Sequence, residues 1–186
     1  MADRVDVAVL VGSLRPRGFS SLLANALLEL APDHLAPHVV GFGELPLYIE
    51  DLEMAVPPAW AEFRETMRAA RAVLFVTPEY NRSMPGGLKN AIDVGSRPYG
   101  QSVFSGKPAA VVSQSPGAMG GFGAHHDLRR SLVFLDMPVL QQPEMYIARS
   151  NDLFDEAGAV KTDETRKFLS GFMTSFGSWI DRLVDR

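Results

Sequence analysis

Three serines and two arginines fall within residues 12–21, just after an apolar run and just before an amphipathic one. Such a junction suits an oxyanion, because the first N–H groups of a helix lack partners and the helix dipole favours negative charge there. Ser13, Ser20 and Ser21 offer hydroxyls, and Arg15 offers a planar cationic fork. A plainer reading of the same residues is also open, with Ser20 or Ser21 as a helix cap and Arg15 and Arg17 as solvated surface. Spacing narrows the kind of phosphate. A Walker loop needs four residues between its glycines and then Lys-Ser/Thr; here five residues separate Gly12 from Gly18, and Phe19 follows. Leu14 stands where a dinucleotide loop needs its second glycine. The stretch suits a compact terminal phosphate monoester.

A second stretch, residues 77–93, combines polar, aromatic and turn-forming residues. Pro78 stops an apolar run, and Pro85-Gly86-Gly87 makes a turn that opens a helix. Between them, Pro78, Glu79, Tyr80 and Asn81 provide backbone groups for the polar edge of a flat ring and side chains to confine its face. Glu79 and Lys89 also read as ordinary surface charge. Lys89 and Asn90 are better suited to capping loop carbonyls than to catalysis, and Asp93 reads as structural.

Residues 113–123 form a third, glycine-rich stretch. Glycines admit backbone close to a flat ligand where side chains would collide. Ser115, Gly117, Gly120 and Gly121 are therefore expected near such a ring, with a flexible connector as the bland alternative. His125-His126 does not make a metal site: adjacent helical residues face different ways, and no carboxylate or cysteine sits at ligand spacing. Helix surface or a subunit contact is the expectation for both.

These stretches need a scaffold that brings them to one edge. The 186 residues fit one domain, residues 1–186, and 46% hydrophobic with 22% charged residues is ordinary for a globular chain. Net charge of −4 argues against a nucleic-acid partner, which would need a basic surface. The chain has no cysteine, so disulfides and thiolate chemistry are excluded. No apolar run approaches the roughly 18 residues of a membrane span. Residues 5–12 read as a buried strand rather than a leader, and the expected location is the cytoplasm.

Apolar runs at 5–11, 39–42, 72–77, 109–113 and near 139–147 are strand candidates, alternating with helical stripes. Leu22, Leu23, Ala26, Leu27 and Leu30 form one stripe, and Trp60, Phe63, Met67 and Ala70 another. Residues 88–94 and 128–135 supply two more. A last helix is expected from about Thr162, with Phe168, Phe172, Phe176, Trp179 and Leu183 along its packed side. Five strands alternating with five helices predict an α/β, flavodoxin-like three-layer fold. Its parallel sheet has the order 2-1-3-4-5, and ligands lie beyond the carboxyl ends of the strands.

The second stretch resembles the Pro-Glu-Tyr-Asn…Pro-Gly…Leu-Lys-Asn-Ala-Ile-Asp signature of the NADPH-dependent FMN reductase family, which includes soluble quinone and chromate reductases. Ser13-x-Arg15 followed by Ser20 is similar to that family's phosphate loop, and with the third stretch the resemblance runs from about residue 5 to about 180. It implies FMN as cofactor, with Ser13, Arg15 and Ser20 on its phosphate and Pro78, Glu79, Tyr80 and Asn81 along its ribityl chain and ring. It further implies NADPH or NADH as hydride donor and a small-molecule acceptor: a quinone, free flavin, a metal oxyanion or an azo compound. A homodimer or homotetramer is implied too, with Leu135, Met137, Met145 and Tyr146 as interface candidates that core burial explains equally well. No acid–base residue is required, and none is nominated as catalytic. One departure stands out: Val94-Gly95 follows Asp93 where the family commonly has an aromatic residue. The alternatives are a flavodoxin-like single-electron carrier and a phosphate-ligand binding module without redox chemistry.

Overall fold

A computed structural model describes residues 4–184. Its five strands are β1 (Val5–Val11), β2 (Leu35–Val39), β3 (Ala72–Pro78), β4 (Ala109–Gln114) and β5 (Met145–Ile147). They form one parallel sheet in the order β2-β1-β3-β4-β5, as the alternation predicts. The helices are α1 (Phe19–Glu29), α2 (Pro58–Ala69), α3 (Gly86–Gly95), α4 (Phe122–Phe134) and α5 (Asp163–Val184).

Strand side chains alternate between two cores, which is why the central runs are continuously apolar. Val7, Val9, Leu74, Val76, Ala110 and Val112 pack with Leu23 and Leu27 of α1 and Phe172 and Phe176 of α5. Ala8, Leu10, Val73, Phe75 and Val111 pack with Trp60, Phe63 and Met67 of α2, Leu88 and Ile92 of α3, and Leu128 and Leu132 of α4.

Three details differ from the sequence reading. The second strand is Leu35–Val39, not 39–42, because register with β1 pairs Val5 with Leu35 and Val9 with Val39. Pro37 hides it from pattern reading, yet an edge strand tolerates proline. Val40 and Phe42 lie beyond it, buried on the α2–α3 side. In α5, Phe168 is half exposed, and the buried line is Leu169, Phe172, Met173, Phe176 and Ile180. A 3-10 segment, Glu50–Ala55, had no counterpart in the pattern. It is fastened by Arg64, whose Nη2 contacts Glu53 Oε1 at 2.5 Å and whose Nε donates to Val94 O. The cap of α5 is as expected: Thr162 Oγ1 accepts the N–H of Thr165 at 3.2 Å.

Candidate functional site

Since all five strands run parallel, the segments after β1, β3 and β4 emerge at the same sheet edge, beside the switch point between β1 and β3. Gly12 lets the first turn away tightly, since a Cβ there would lie 2.8 Å from Thr77 Oγ1. The turn then holds itself together. Ser13 Oγ accepts the N–H of Arg15 at 3.4 Å, Gly18 N–H donates to Arg15 O at 3.0 Å, and the Ser21 hydroxyl donates to the same carbonyl at 2.8 Å. No side chain caps α1 at Gly18, and no acid lies in its first turn. Arg15 is exposed and makes no ion pair among the described residues.

Uncapped N–H groups and an unpaired guanidinium beside two hydroxyls form a donor set that suits a dianionic phosphate monoester. A cleft of about 240 Å³ opens here, lined by Ser13, Arg15, Ser21, Asn25, Gly41 and Phe42 among others. The wall after β2 was missed in the sequence; Gly41-Phe42-Gly43 directly after an edge strand was its signal.

Ser20 is placed differently from its neighbours. Its side chain is fully buried, and its hydroxyl oxygen accepts from Gln114 Nε2 at 2.8 Å. What it offers an anion at this edge is its backbone N–H rather than its hydroxyl.

The segment after β3 is a tight reversal. Tyr80 and Ser83 exchange backbone hydrogen bonds, with φ of 51° at Asn81 and 65° at Arg82. Positive φ at both central residues marks a type I′ turn, for which asparagine is well suited and arginine is not. Two contacts fix the turn to α4. Glu79 Oε2 accepts the N–H of Ala124 at 3.1 Å, and the Ser83 hydroxyl bonds Asp127 Oδ2. Glu79 is therefore a helix-terminal acceptor and not a free surface charge. Tyr80 stays 53% exposed, so its ring is available at the edge. Asn90 holds the 45–48 segment, accepting from Tyr48 N–H and donating to Leu45 O and Pro46 O, in line with its capping expectation. Lys89 instead pairs with Asp93 at 2.6 Å.

After β4, Ser115 Oγ accepts the N–H of Gly117, and Ser113 Oγ donates to Gly120 O. Ser115 and Gly117 lie at the open edge, together with exposed Met119 and Phe122. Gly120 and Gly121 are buried, with φ of 60° and 78°. A Cβ on Gly120 would come within 2.8 Å of Tyr146 C, and one on Gly121 within 3.1 Å of Gln114 O. These two glycines serve the packing of the loop on β4 and β5.

His125 is not on the surface. It is fully buried against Tyr146, and neither ring nitrogen has a partner among the described residues. Burial, with Arg129 adding to it, pushes it down to about 4, so the ring is neutral. His126 is exposed and contacts Tyr146 Oη at 3.0 Å. Burial and a hydrogen bond to Glu144 push Tyr146 up to about 12. Leu135, Met137 and Met145 are buried within the chain, so core packing accounts for them. Val94 is buried in the core, and Phe104 fills the space beside Gly95, where a Cβ would meet it at 2.6 Å.

A larger groove, about 650 Å³, lies elsewhere, between α3, residues 96–105 and the end of α4. Two of its lining cations are already paired, Lys89 with Asp93 and Arg130 with Asp127, whereas the strand edge offers uncapped N–H groups and Arg15 without an ion pair among the described residues. The edge is therefore the better candidate for binding an anionic cofactor.

Comparison with known proteins places the chain in a family. A quinone reductase of Pseudomonas putida is 60% identical over 181 residues, covering 97% of each chain. A 2-hydroxy-1,4-benzoquinone reductase of a Burkholderia species is 45% identical, covering 96% of this chain and 98% of the other. The solved structure of FerB, a flavoenzyme NAD(P)H:(acceptor) oxidoreductase from Paracoccus denitrificans, superposes with a TM-score of 0.90 at 40% identity, covering 96% and 98%. With residues 5–152 also matching the family model described as NADPH-dependent FMN reductase, the chain belongs to that family.

Proposed function

We propose that the whole chain forms one FMN-binding unit that oxidises NADPH or NADH and reduces quinones. The observation that carries this is the meeting of the uncapped α1 N-terminus, unpaired Arg15 and two further loops at one switch point. The phosphate is held by Ser13, Arg15, Ser21 and the first N–H groups of α1. The ring lies between residues 78–81 and the outer part of the 115–121 loop. FMN, when bound, supplies hydride acceptance and electron release. The chain's part is to orient the ring, keep one face open and offer N–H donors to its polar edge.

Quinones are favoured among acceptors because relatives at 60% and 45% identity are quinone reductases. Exposed Tyr80, Met119 and Phe122 offer a flat apolar approach at the same edge. A homo-oligomer is supported by Tyr99, Val133 and Phe134, large and strongly exposed, the first and last lining the 650 Å³ groove. None of the described helices is long and apolar enough to cross a membrane, in keeping with a cytoplasmic enzyme.

The test is NADPH consumption by the FMN-loaded protein with and without 1,4-benzoquinone. Quinone-dependent turnover is expected. A protein that binds FMN yet never oxidises either nicotinamide would be a carrier instead.

A further inference from the structure

Gln114 closes β4, and the pleat places it on the same face as Ala110 and Val112, which pack beneath α1 and α5. An aliphatic residue would suit that face. Instead an amide only 4% exposed reaches Ser20 in the first turn of α1, at 2.8 Å. Among the described residues its Oε1 has no partner, and neither has the buried Ser150 hydroxyl. A buried amide that is incompletely bonded carries a desolvation cost, and a matched apolar pair would avoid it. Either orientation of the amide keeps the bridge, because the Ser20 hydroxyl both donates and accepts.

The two ends of this bridge belong to different parts of the rim. Ser20 lies two residues beyond Gly18, where the N–H groups of α1 are uncapped. Gln114 is continuous with Ser115, whose carbonyl accepts Ser150 N–H and whose own N–H donates to Ile147 O. The bridge therefore ties the phosphate end of the site to the loop beside the ring.

We propose that Gln114 is a positioning residue: through Ser20 it sets the first turn of α1 so that its N–H groups meet the cofactor's phosphate. This rests on the FMN reading above. It makes a specific demand, that losing the bridge weakens recognition of the phosphate and leaves recognition of the ring intact.

The experiment is fluorescence titration of flavin-free protein with FMN and, separately, with riboflavin, which has the ring but no phosphate. Wild type, Gln114→Leu, Ser20→Ala and the double variant are compared, with thermal melting of each flavin-free protein. Each single variant is expected to lose about tenfold in FMN affinity, the order of one hydrogen bond's contribution, and less than about twofold for riboflavin. The double variant should be no weaker than the weaker single one, since both remove the same bridge. Ser20→Ala removes a single oxygen from a helical residue, so it decides the matter should Gln114→Leu not fold. Equal losses for both flavins, additive losses, or unchanged FMN affinity would overturn the proposal while the FMN reading stands. A wild-type protein that takes up no FMN would end both.

Discussion

Glu79 Oε2 accepts the backbone N–H of Ala124 at 3.1 Å, joining the loop after β3 to the first turn of α4 across 45 residues of sequence. The acceptor meets a helix N-terminus that has no cap from its own segment, since Gly121 stands there. Gly123 makes room for the contact, as a Cβ on it would lie 2.9 Å from the same carboxylate oxygen. A residue whose type suggests ligand binding thus holds two rim loops in register.

Glu79→Ala is expected to lower stability by about 1 kcal/mol, the usual size of a lost helix-terminal acceptor. Glu79→Gln should recover most of it, because an amide oxygen accepts the same N–H. Urea unfolding of the flavin-free protein measures both. Equal midpoints for wild type and Glu79→Ala would refute the capping role.

Gly120→Ala should destabilise by roughly 1–3 kcal/mol, since it combines a positive φ with a backbone collision at Tyr146. Gly117→Ala should be far milder, its nearest neighbour being Ser115 Oγ at 3.4 Å. Comparing the two melting temperatures separates packing glycines from open-edge ones.

Arg15→Met should weaken FMN binding by roughly 10- to 100-fold at low salt, as expected for a charge-assisted contact. Because Arg15 is exposed, the difference should shrink as ionic strength rises. Titrations across a salt series check this, and a salt-independent loss would point away from a charge contact.

His125 gives the fold an acid-sensitive point. Its folded-state value lies near 4, against an ordinary 6.5, so the unfolded chain binds the extra proton first. Its neutral burial is fully compatible with the fold above about pH 6.5, and stability falls as pH drops from there towards 4. The loss amounts to a few kcal/mol at most, on the order of 1.4 kcal/mol per pH unit crossed. His125→Phe should show a shallower decline in unfolding free energy between pH 7 and pH 5. Parallel curves for the two proteins would contradict this.

The scaffold was largely legible because each core strand is a nearly pure apolar run and each helix carries a stripe at helical spacing. Where the pattern misled, a local reason is visible. Pro37 disguised β2, and Phe168 matched the spacing of α5 while facing solvent. At the site, residue type pointed to the correct loops but not to the direction of every side chain. Ser20 has the chemistry of a phosphate ligand and is turned inward to Gln114. Glu79 and Asp127 act through partners more than 40 residues away, a distance no local spacing encodes. His125 and His126 are adjacent in sequence, and only tertiary packing decides which one is buried.

Flavin uptake tests the site most directly. Flavin-free wild-type protein titrated with FMN should bind one per chain with micromolar or tighter affinity, and the bound flavin's visible absorption should bleach when NADPH is added without oxygen. A protein that stays colourless after incubation with micromolar FMN and removal of free flavin would contradict it.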